Sequence, residues 1–484
     1  MPELDTKAGI AVGAIIALIM GIFSQAIFAK QEQVIIENNN PSNIKNSSNI
    51  PCTYNIIQVV GGTSRNIQAI NCKTGLIDFQ STNASNVFNN VMNVFNNTGG
   101  GYVHITGYNS THPYNITTAI LIPAHGHLNF YGDGNEYTFL QIPSGSDNDM
   151  FLFTGRKSSP SFFNYFSEFA MFGNDGVGGG GVHNDGFKFN STNAGMSDSL
   201  VWNVFIEHFK QDDYFANQYS IWNMRLNQDT IEDGGNACVN IAGDGTGAEM
   251  RITDSKIIFC NGIGIQVQQT NNMQIINNWF YKNQKGDIKF IAGTSFSENI
   301  QNNNFQNSGL ASTNTYYQMN LAGFAYSVVE GNNFNSASSG NKPIGPIFLG
   351  SASVKNVIVN NNSFGTFSYG TTSSIKATNG LDSNYIVNNL GTNPFNKITN
   401  FVDGSNWTPY GTTGTIVNAT TYTIWDAPIF TTVSGGTGVN VTMLDNNNNL
   451  IQKGLATITQ QYLPVGYKIK INFSSAPTVT VFFH

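Results

Sequence analysis

Paired acidic residues end two similar stretches of the chain and are the groups best suited to chemistry. VWNVFIEHFKQDD begins at Val201 and IWNMRLNQDTIED at Ile221, so that Asp212 and Asp213 align with Glu232 and Asp233. Carboxylates on neighbouring strands about 4.8 Å apart repel one another, which raises a pKa or recruits a cation such as Ca²⁺. Paired Asp or Glu residues also supply the acid and base of glycoside hydrolysis. The alignment predicts four carboxylates on one exposed flank.

Basic and aromatic side chains near these acids extend the hypothesis to a glycan site. His208 is a candidate proton carrier, and Arg225 and Arg251 are suited to an anionic sugar. The candidate catalytic residues are Asp212, Asp213, Asp233, His208 and Arg225, and the candidate metal ligands are Asp213, Glu232 and Asp233. The candidate glycan-binding residues are Trp202, Tyr214, Tyr219, Trp222 and Arg251. The alternative is that the acids lie in solvated turns and that the repeated tryptophans are core residues.

A repeated pattern indicates the elements that would position these residues. The motif [VI]-x-[ND]-x-x-[ILF], with glycine once in the polar slot, starts at Val201, Ile221, Ile252, Ile275, Ile300, Val329 and Val359. Variable spacings of this size, within the range of about 20 to 50 residues, are typical of a solenoid. Short β-type runs bounded by Asn and Gly predict a parallel β-helix, because Asn tolerates the left-handed conformation at a repeated turn.

This arrangement makes specific predictions about stacked columns. Trp202 and Trp222 should share one column, and Asn203 and Asn223 another. A buried phenylalanine column should contain Phe280, Phe305, Phe334 and Phe364.

The N-terminal part of the chain resembles the right-handed β-helix proteins of the pectate lyase-like superfamily. SNVFNNVMNVFNN at residues 85–97 reads as a short amphipathic helix, followed by TGGGYVHIT, ITTAILIPAHGHLNFYGDG and TFLQIP. In that superfamily a helix caps the open end, a Gly-rich turn leads into the first strand, and such segments form the first rungs. The resemblance covers about residues 78–395 and implies a right-handed parallel solenoid. It implies no single activity, because the superfamily includes lyases, hydrolases, tail spikes and adhesins.

Motifs of the polygalacturonase branch match this sequence only in part. HNDG at residues 183–186 and QDD at residues 211–213 resemble its N-T-D and G-D-D motifs, in the same order. Its G-H-G and R-I-K motifs have no match, since RIT at residues 251–253 lacks the final basic residue.

The two ends of the chain differ from its middle. The apolar run at residues 8–29 is long enough to span a bilayer, and an uncleaved anchor is favoured over a cleaved signal peptide. We expect residues 30–50 to form a polar linker, residues 51–399 the capped β-helix and residues 400–484 an antiparallel β-sandwich. Eleven N-x-S/T sequons after the apolar run are typical of an exported glycoprotein. No basic run offers a nucleic-acid site.

Four cysteines form two local pairs, which an exported chain can oxidise. Cys238 and Cys260, about one repeat apart, would lie on neighbouring rungs within reach of a disulfide, and Cys52 would pair with Cys72. Free buried thiols are the alternative.

Two classes of function remain. One is an attachment protein of a cell envelope or virion, anchored in a membrane by its N-terminal segment, whose solenoid flank binds glycans while the sandwich forms a homotrimer or adheres. The other is an extracellular polysaccharide lyase or glycoside hydrolase. The incomplete catalytic motifs and the retained anchor favour the first class.

Overall fold

The computed structural model describes most of residues 52–391 and part of residues 412–483. The described residues are 52–61, 64–108, 110–123, 127–153, 161–173, 184–190, 196–217, 221–242, 247–291, 295–336, 341–350, 358–360, 362–367, 375–377, 385–387, 390–391, 412–414, 421–423, 429–445, 447–464, 467–475 and 477–483. Among them there is no helix with the length and apolar character to cross a membrane. The predicted anchor at residues 8–29 and the linker after it lie outside this part of the chain.

One short helix, α1 (Ala84–Thr98), precedes the solenoid and agrees with the predicted capping helix. Asn83 caps its first turn, because its side chain accepts a hydrogen bond from the backbone N–H of Ser85. Gly99 ends it in the left-handed conformation, where its N–H donates to Phe95. The apolar face packs against the first strands, so that it closes the end of the core. Its buried apolar residues are Ala84, Val87, Phe88, Val91, Met92 and Phe95.

Four sheets build the solenoid. Sheet 1 begins with the antiparallel strands β1 (Tyr54–Gly61), β2 (Ser64–Asn71) and β3 (Ile77–Ser81). Its parallel strands are β4 (Gly100–Ile105), β7 (His127–Gly132), β11 (Tyr165–Ser167), β15 (Leu200–Trp202), β19 (Arg225–Asn227), β23 (Arg251–Thr253), β27 (Gln274–Ile276), β31 (Asn299–Gln301), β35 (Val328–Glu330), β38 (Ile358–Asn360) and β41 (Tyr385–Val387). Sheet 2 contains β5 (Tyr114–Asn115), β8 (Phe139–Gln141), β12 (Ala170–Phe172), β16 (Phe205–Glu207), β20 (Thr230–Glu232), β24 (Lys256–Ile258), β28 (Trp279–Tyr281), β32 (Asn304–Gln306), β36 (Asn333–Ser336), β39 (Ser363–Phe367) and β42 (Leu390–Gly391).

The other two sheets complete each rung. Sheet 3 contains β6 (Ile120–Ile122), β9 (Phe151–Phe153), β13 (Phe187–Asn190), β17 (Asp212–Asn217), β21 (Ala237–Ile241), β25 (Ile263–Val267), β29 (Ile288–Phe290), β33 (Met319–Leu321), β37 (Ile347–Leu349) and β40 (Ile375–Ala377). Sheet 4 contains β10 (Ser161–Phe162), β14 (Met196–Ser197), β18 (Ile221–Trp222), β22 (Gly247–Ala248), β26 (Thr270–Asn271), β30 (Ser295–Phe296) and β34 (Phe324–Ala325). Because the chain visits the sheets in turn and successive strands of a sheet run parallel, the fold is a parallel β-solenoid of the right-handed type.

Residues with positive φ mark three corners of the rung, each with φ between 50° and 66°. Between sheets 1 and 2 they are Glu168, Asn203, Gln228, Asp254, Asn277, Asn302 and Gly331. Between sheets 2 and 3 they are His208, Asp233, Phe259, Lys282 and Asn307. Between sheets 4 and 1 they are Phe163, Asp198, Asn223, Glu249, Asn272, Ser297 and Tyr326. Since Asn and Gly adopt this conformation at low cost, they recur at these turns.

The predicted phenylalanine column lies on sheet 2. Phe280, Phe305, Phe334 and Phe364 are successive partners in register, as predicted. The first three side chains are fully buried, and their rings stack with centroids 4.8 and 4.7 Å apart.

A ladder of asparagine side chains lines the interior beside the corner between sheets 1 and 2. The members are Asn278, Asn303, Asn332 and Asn362. In each, Oδ1 accepts a backbone N–H from the preceding rung, and Nδ2 donates to a buried carbonyl at 2.8–3.0 Å. Both polar ends of the buried amide are thereby paired, which removes the cost of burying them.

The predicted columns of Trp202 with Trp222 and of Asn203 with Asn223 are wrong. In the structure Trp202 pairs with Asn227 in sheet 1, and Trp222 pairs with Ser197 in sheet 4, so the rung here is longer than the offset between the two stretches. Asn203 and Asn223 have φ of 51° and 50°, but they lie at two different corners of one rung. The two stretches look alike because both corners need the same strand and left-handed turn.

The C-terminal part contains two four-stranded antiparallel sheets. One consists of β43 (Thr412–Gly414), β45 (Ile429–Ser434), β48 (Ile458–Leu463) and β50 (Thr478–Phe483). The other consists of β44 (Thr421–Thr423), β46 (Asn440–Leu444), β47 (Leu450–Leu455) and β49 (Lys468–Asn472). Val433, Val441 and Ile469 are among their fully buried residues. The predicted domain boundaries at residues 51 and 400 fall outside the described residues and stay predictions.

Candidate functional site

The two aspartates at the start of β17 are buried and do not lie on an exposed flank. Asp212 accepts hydrogen bonds from Nδ2 of Asn236 at 3.0 Å, from the N–H of Ala237 at 2.9 Å and from Nδ2 of Asn240 at 2.9 Å. Its burial raises its pKa to about 7 against the effect of these donors. Burial also raises the pKa of Asp213, which is completely enclosed, well above the usual range. A ligand on the outer surface meets neither carboxyl group.

The predicted alignment of these aspartates with Glu232 and Asp233 is therefore wrong. With the longer rung of the structure, Asp212 pairs with Ala237 on the next rung, and the residue paired with Glu232 is Glu207. The correct register was visible in the sequence, because FIE at 205–207 resembles TIE at 230–232. The similarity of VWN at 201 and IWN at 221 suggested a shorter offset between rungs instead.

Glu207 and Glu232 form a carboxyl pair on the outer face of sheet 2. They are partners in parallel register on β16 and β20, and both are half-buried. Burial raises the pKa of both. A hydrogen bond between the two carboxyl groups and the negative charge of Glu207 and Asp233 raise the pKa of Glu232 further, to about 7. Two carboxylates this close relieve their repulsion by sharing a proton.

His208 and Asp233 stand beside this pair, at the corner between sheets 2 and 3. Nε2 of His208 lies 3.6 Å from Oε1 of Glu207, and Nδ1 lies 3.6 Å from Oδ2 of Asp233. Glu207, His208 and Asp233 offer ligand atoms that all lie within 4.8 Å of one another. An imidazole with two carboxylates suits a transition-metal ion better than Ca²⁺, which prefers oxygen ligands alone. Of the predicted metal ligands, only Asp233 belongs to this group, and Glu207 and His208 take the places of Asp213 and Glu232.

The two arginines lie on another sheet and do not neutralise the acids. Arg225 and Arg251 are partners in register on the outer face of sheet 1, whereas Glu232 belongs to sheet 2. Nε of the exposed Arg225 donates to Oδ1 of Asn223 at 3.4 Å. The prediction that Arg225 relieves the repulsion among the acids is contradicted by this placement.

The aromatic residues predicted to bind glycans are dispersed. Tyr214 is fully buried, because alternate residues of β17 point into the core, so its predicted exposed role is wrong. Trp202 is partly exposed on sheet 1, where its Nε1 donates to Oε1 of Gln228 at 2.9 Å. Tyr219 and the side chain of Trp222 lie outside the described residues.

Other aromatic rings, which the sequence did not single out, flank the carboxyl pair along sheet 2. On the N-terminal side Phe172 stacks on Phe139 with centroids 5.5 Å apart and contacts Phe205 at 6.0 Å. On the C-terminal side Trp279 and Tyr281 lie 5.5 Å apart. We call this set the sheet 2 stripe, and its members are Phe139, Phe172, Phe205, Glu207, Glu232, Trp279 and Tyr281.

The C-terminal end of the stripe continues onto the neighbouring corner. Phe259 packs edge-on against Tyr281 at 5.3 Å and is 39% exposed. Nζ of Lys282 lies 5.0 Å above the Tyr281 ring and 5.9 Å above the Phe259 ring, which are cation–π distances. This corner therefore presents an exposed ring, a half-buried ring and one positive charge within two strands of the carboxyl pair.

The cysteines contribute to the scaffold. Cys238 and Cys260 form a disulfide with Cα atoms 5.7 Å apart, and both residues are buried. It joins the start of β21 to the corner of the following rung. Cys52 and Cys72 are also in the disulfide form, and no described cysteine is free.

The four sheets and their stacked rungs define a class: the chain is a parallel β-helix protein. No family model and no curated protein matches the sequence. Among solved structures, ORF18 of Geobacillus virus E2 is similar at 12% identity and a TM-score of 0.52, over 91% of this chain and 87% of that one.

Two further solved structures are similar at lower TM-scores. The Dettilon tailspike protein (gp208) shares 11% identity at a TM-score of 0.41, over 82% of this chain and 90% of that one. The Streptococcus pneumoniae surface protein and adhesin PfbA shares 12% identity at a TM-score of 0.39, over 65% of this chain and 94% of that one. At these identities the similarities concern the fold.

Proposed function

We propose that the protein is an attachment protein, displayed on a virion or cell surface, that binds a glycan chain along the sheet 2 stripe. The observation that carries the proposal is the order of groups on one outer face: aromatic rings, then a carboxyl pair, then Lys256 and Ile258 of β24, then aromatic rings again. The apolar run at residues 8–29 supports display at a surface, because a segment of this length and character can anchor the chain in a membrane.

The dimensions of the stripe suit an extended polysaccharide. From β8 to β28 there are five strand steps, which is about 24 Å along the solenoid axis. Aromatic rings offer apolar faces to the C–H surfaces of sugar rings, and carboxylates accept hydrogen bonds from hydroxyl groups. The partly buried position of Glu207 and Glu232 makes such hydrogen bonds stronger than on open surface. The stripe thus combines stacking at both ends with polar recognition in the middle.

The carboxyl pair also supports a second candidate, a glycoside hydrolase or lyase, because a raised pKa near 7 is typical of a general acid. The spacing of the two carboxyl groups favours glycan binding over glycan cleavage. Glycosidase carboxyl groups stand about 5 Å or more apart, with the scissile bond or a water molecule between them. Glu207 and Glu232 are partners on adjacent strands and hydrogen-bond to each other, so their carboxyl groups stand closer together than in either glycosidase arrangement.

The test is to incubate the full chain with a panel of neutral and acidic polysaccharides, and to measure both binding and the release of reducing ends or unsaturated products. We expect binding of at least one polysaccharide without cleavage. Products that appear with the parent and disappear with Glu232→Gln would instead establish the hydrolase or lyase.

Paired variants locate the binding on the stripe. Trp279→Ala with Tyr281→Ala should weaken binding at least tenfold, about 1.4 kcal/mol. The matched control is Tyr326→Ala, which removes an aromatic ring that is more accessible than those of the stripe, 53% exposed against 36% for Trp279, at the corner between sheets 4 and 1. Equal affinity of the stripe variant and the control would contradict the proposal.

A further inference from the structure

A cleft near the N-terminal end of sheet 1 lies apart from the stripe. Its volume is about 340 Å³, within the range of small-ligand sites. The residues that line it are Tyr102, His127, Leu128, Asn129, Phe163 and Tyr165. It contains no Asp, Glu, Lys or Arg side chain among the described residues.

Register explains how the cleft forms. Tyr102, Asn129 and Tyr165 are consecutive partners on β4, β7 and β11 and face outward. The short Asn129 side chain between two tyrosines leaves a gap in this column. His127, which precedes Asn129 on the same face of β7, borders the gap, and its ring stacks on Phe163 with centroids 5.0 Å apart.

Phe163 occupies a position that disfavours it. Its φ is 53°, at a corner where the corresponding residues of other rungs are polar, namely Asp198, Asn223, Glu249, Asn272 and Ser297, except for Tyr326. A bulky side chain is an outlier in this conformation, and such strain concentrates at functional sites. The ring is nevertheless 53% exposed. The strain therefore holds an aromatic ring at the edge of the cleft without burying it in the core.

The polar floor of the cleft supplies a second, independent observation. Oδ1 of Asn129 is buried and has no hydrogen-bond partner among the described residues. A buried acceptor without a partner is unfavourable, and a ligand with a hydroxyl donor would supply the missing hydrogen bond.

We infer that this cleft binds a single neutral pyranose residue, with its C–H face against the exposed aromatic rings and a hydroxyl group donating to Oδ1 of Asn129. A sugar ring supplies both an apolar face and hydroxyl donors, which the lining requires. The described lining offers no cationic side chain to pair with the carboxylate of a uronic acid. The cleft would be a second subsite, independent of the sheet 2 stripe.

The experiment is saturation-transfer NMR and calorimetry of the full chain with methyl glycosides of glucose, galactose, mannose and N-acetylglucosamine, and with glucuronic acid. It is done in the Trp279→Ala/Tyr281→Ala background, so that the stripe does not contribute. We expect at least one neutral glycoside to bind and glucuronic acid to bind at least tenfold more weakly.

Two variants and a matched control decide whether the cleft is responsible. Phe163→Asn introduces a residue that the corner favours, so the fold should persist, and Asn129→Leu removes the acceptor; each should weaken binding at least tenfold. Tyr326→Asn, at the same corner of a distant rung with φ of 52°, should leave binding unchanged. No binding of any neutral glycoside, or binding that survives both cleft variants in folded protein, would overturn the inference. Because the stripe is already disabled, either result is independent of the proposed function.

Discussion

At the residue scale, Asp229 is an acid at a position of the interior asparagine ladder. Its Oδ1 accepts the N–H of Val204 at 2.8 Å, as the ladder asparagines do for their own neighbours. Its Oδ2 is buried and has no hydrogen-bond partner among the described residues, where asparagine would present a donor. Burial raises the pKa of Asp229 well above the usual range, because the interior disfavours the ionised carboxylate.

Asp229→Asn should therefore stabilise the protein. The new Nδ2 would reach the carbonyl of Val201, as Nδ2 of Asn278 reaches that of Ile252 at 2.9 Å. We expect a gain of about 1–3 kcal/mol in the free energy of unfolding at pH 8, measured by urea denaturation. The reverse exchange, Asn303→Asp, should lose a similar amount. A destabilised Asp229→Asn variant would show that the acid has another role.

The disulfide between Cys238 and Cys260 closes a loop of one rung. Reduction, or replacement of both residues by alanine, should lower the free energy of unfolding by about 2–4 kcal/mol, because the unfolded chain regains the freedom that the bond removed. Mass spectrometry of the non-reduced protein should show the linked peptides. Two thiols that are free and readily alkylated in the folded protein would contradict this expectation.

At the element scale, the corner of β16 and β20 should bind a divalent transition-metal ion. Glu207, His208 and Asp233 supply the ligands, and the proton that Glu207 shares with Glu232 must leave for a cation to approach. Since the pKa of Glu232 is raised to about 7, Zn²⁺ or Mn²⁺ should bind at least tenfold more tightly at pH 8 than at pH 6.

Calorimetry with the parent and with His208→Ala tests this prediction. The variant should lose most of its affinity for Zn²⁺, while Ca²⁺ should bind weakly to both proteins. Preference of the parent for Ca²⁺ over Zn²⁺ would instead favour a site made of oxygen ligands alone.

The sequence was sufficient to predict the stacked strands of the solenoid, but it did not predict which acidic residues lie together on the outer face. The spacing of Phe280, Phe305 and Phe334 predicted their column, because one rung in that region is one motif. The motif at Ile221 gave the wrong rung length, because the corner at Asn223 is built from a similar strand and the same left-handed turn as the corner at Asn203. The rung length inferred from that motif was too short, and this error moved Asp212 and Asp213 from the interior to the predicted flank. Local patterns recur at every corner, whereas strand register depends on the whole rung.

At the scale of the whole molecule, buried acids make stability depend on pH. Burial raises the pKa of Asp212 and of Asp287 to about 7 and that of Glu298 to about 8. Unfolded carboxyl groups titrate near 4, so between pH 4 and 8 the folded state binds more protons than the unfolded state. This stabilisation is fully present below pH 4 and is lost as pH rises through 7 to 8.

The Tm should consequently be several degrees lower at pH 8.5 than at pH 5. The double variant Asp287→Asn with Glu298→Gln should show a smaller decrease, because two of the responsible groups no longer titrate. Differential scanning calorimetry measures both. A Tm that rises with pH in the parent would show that ion pairs outweigh the buried acids.

The attachment function requires one continuous binding face, and hydroxyl-radical footprinting of the full chain with a bound oligosaccharide tests it most directly. Exposed aromatic side chains are oxidised by the radical, and a ligand that covers them slows the oxidation. We predict protection of Phe259, Trp279 and Tyr281 on and beside the sheet 2 stripe, with unchanged oxidation of Tyr326. Protection confined to the C-terminal antiparallel sheets, with the stripe oxidised as fast as in the free protein, would contradict the proposed function.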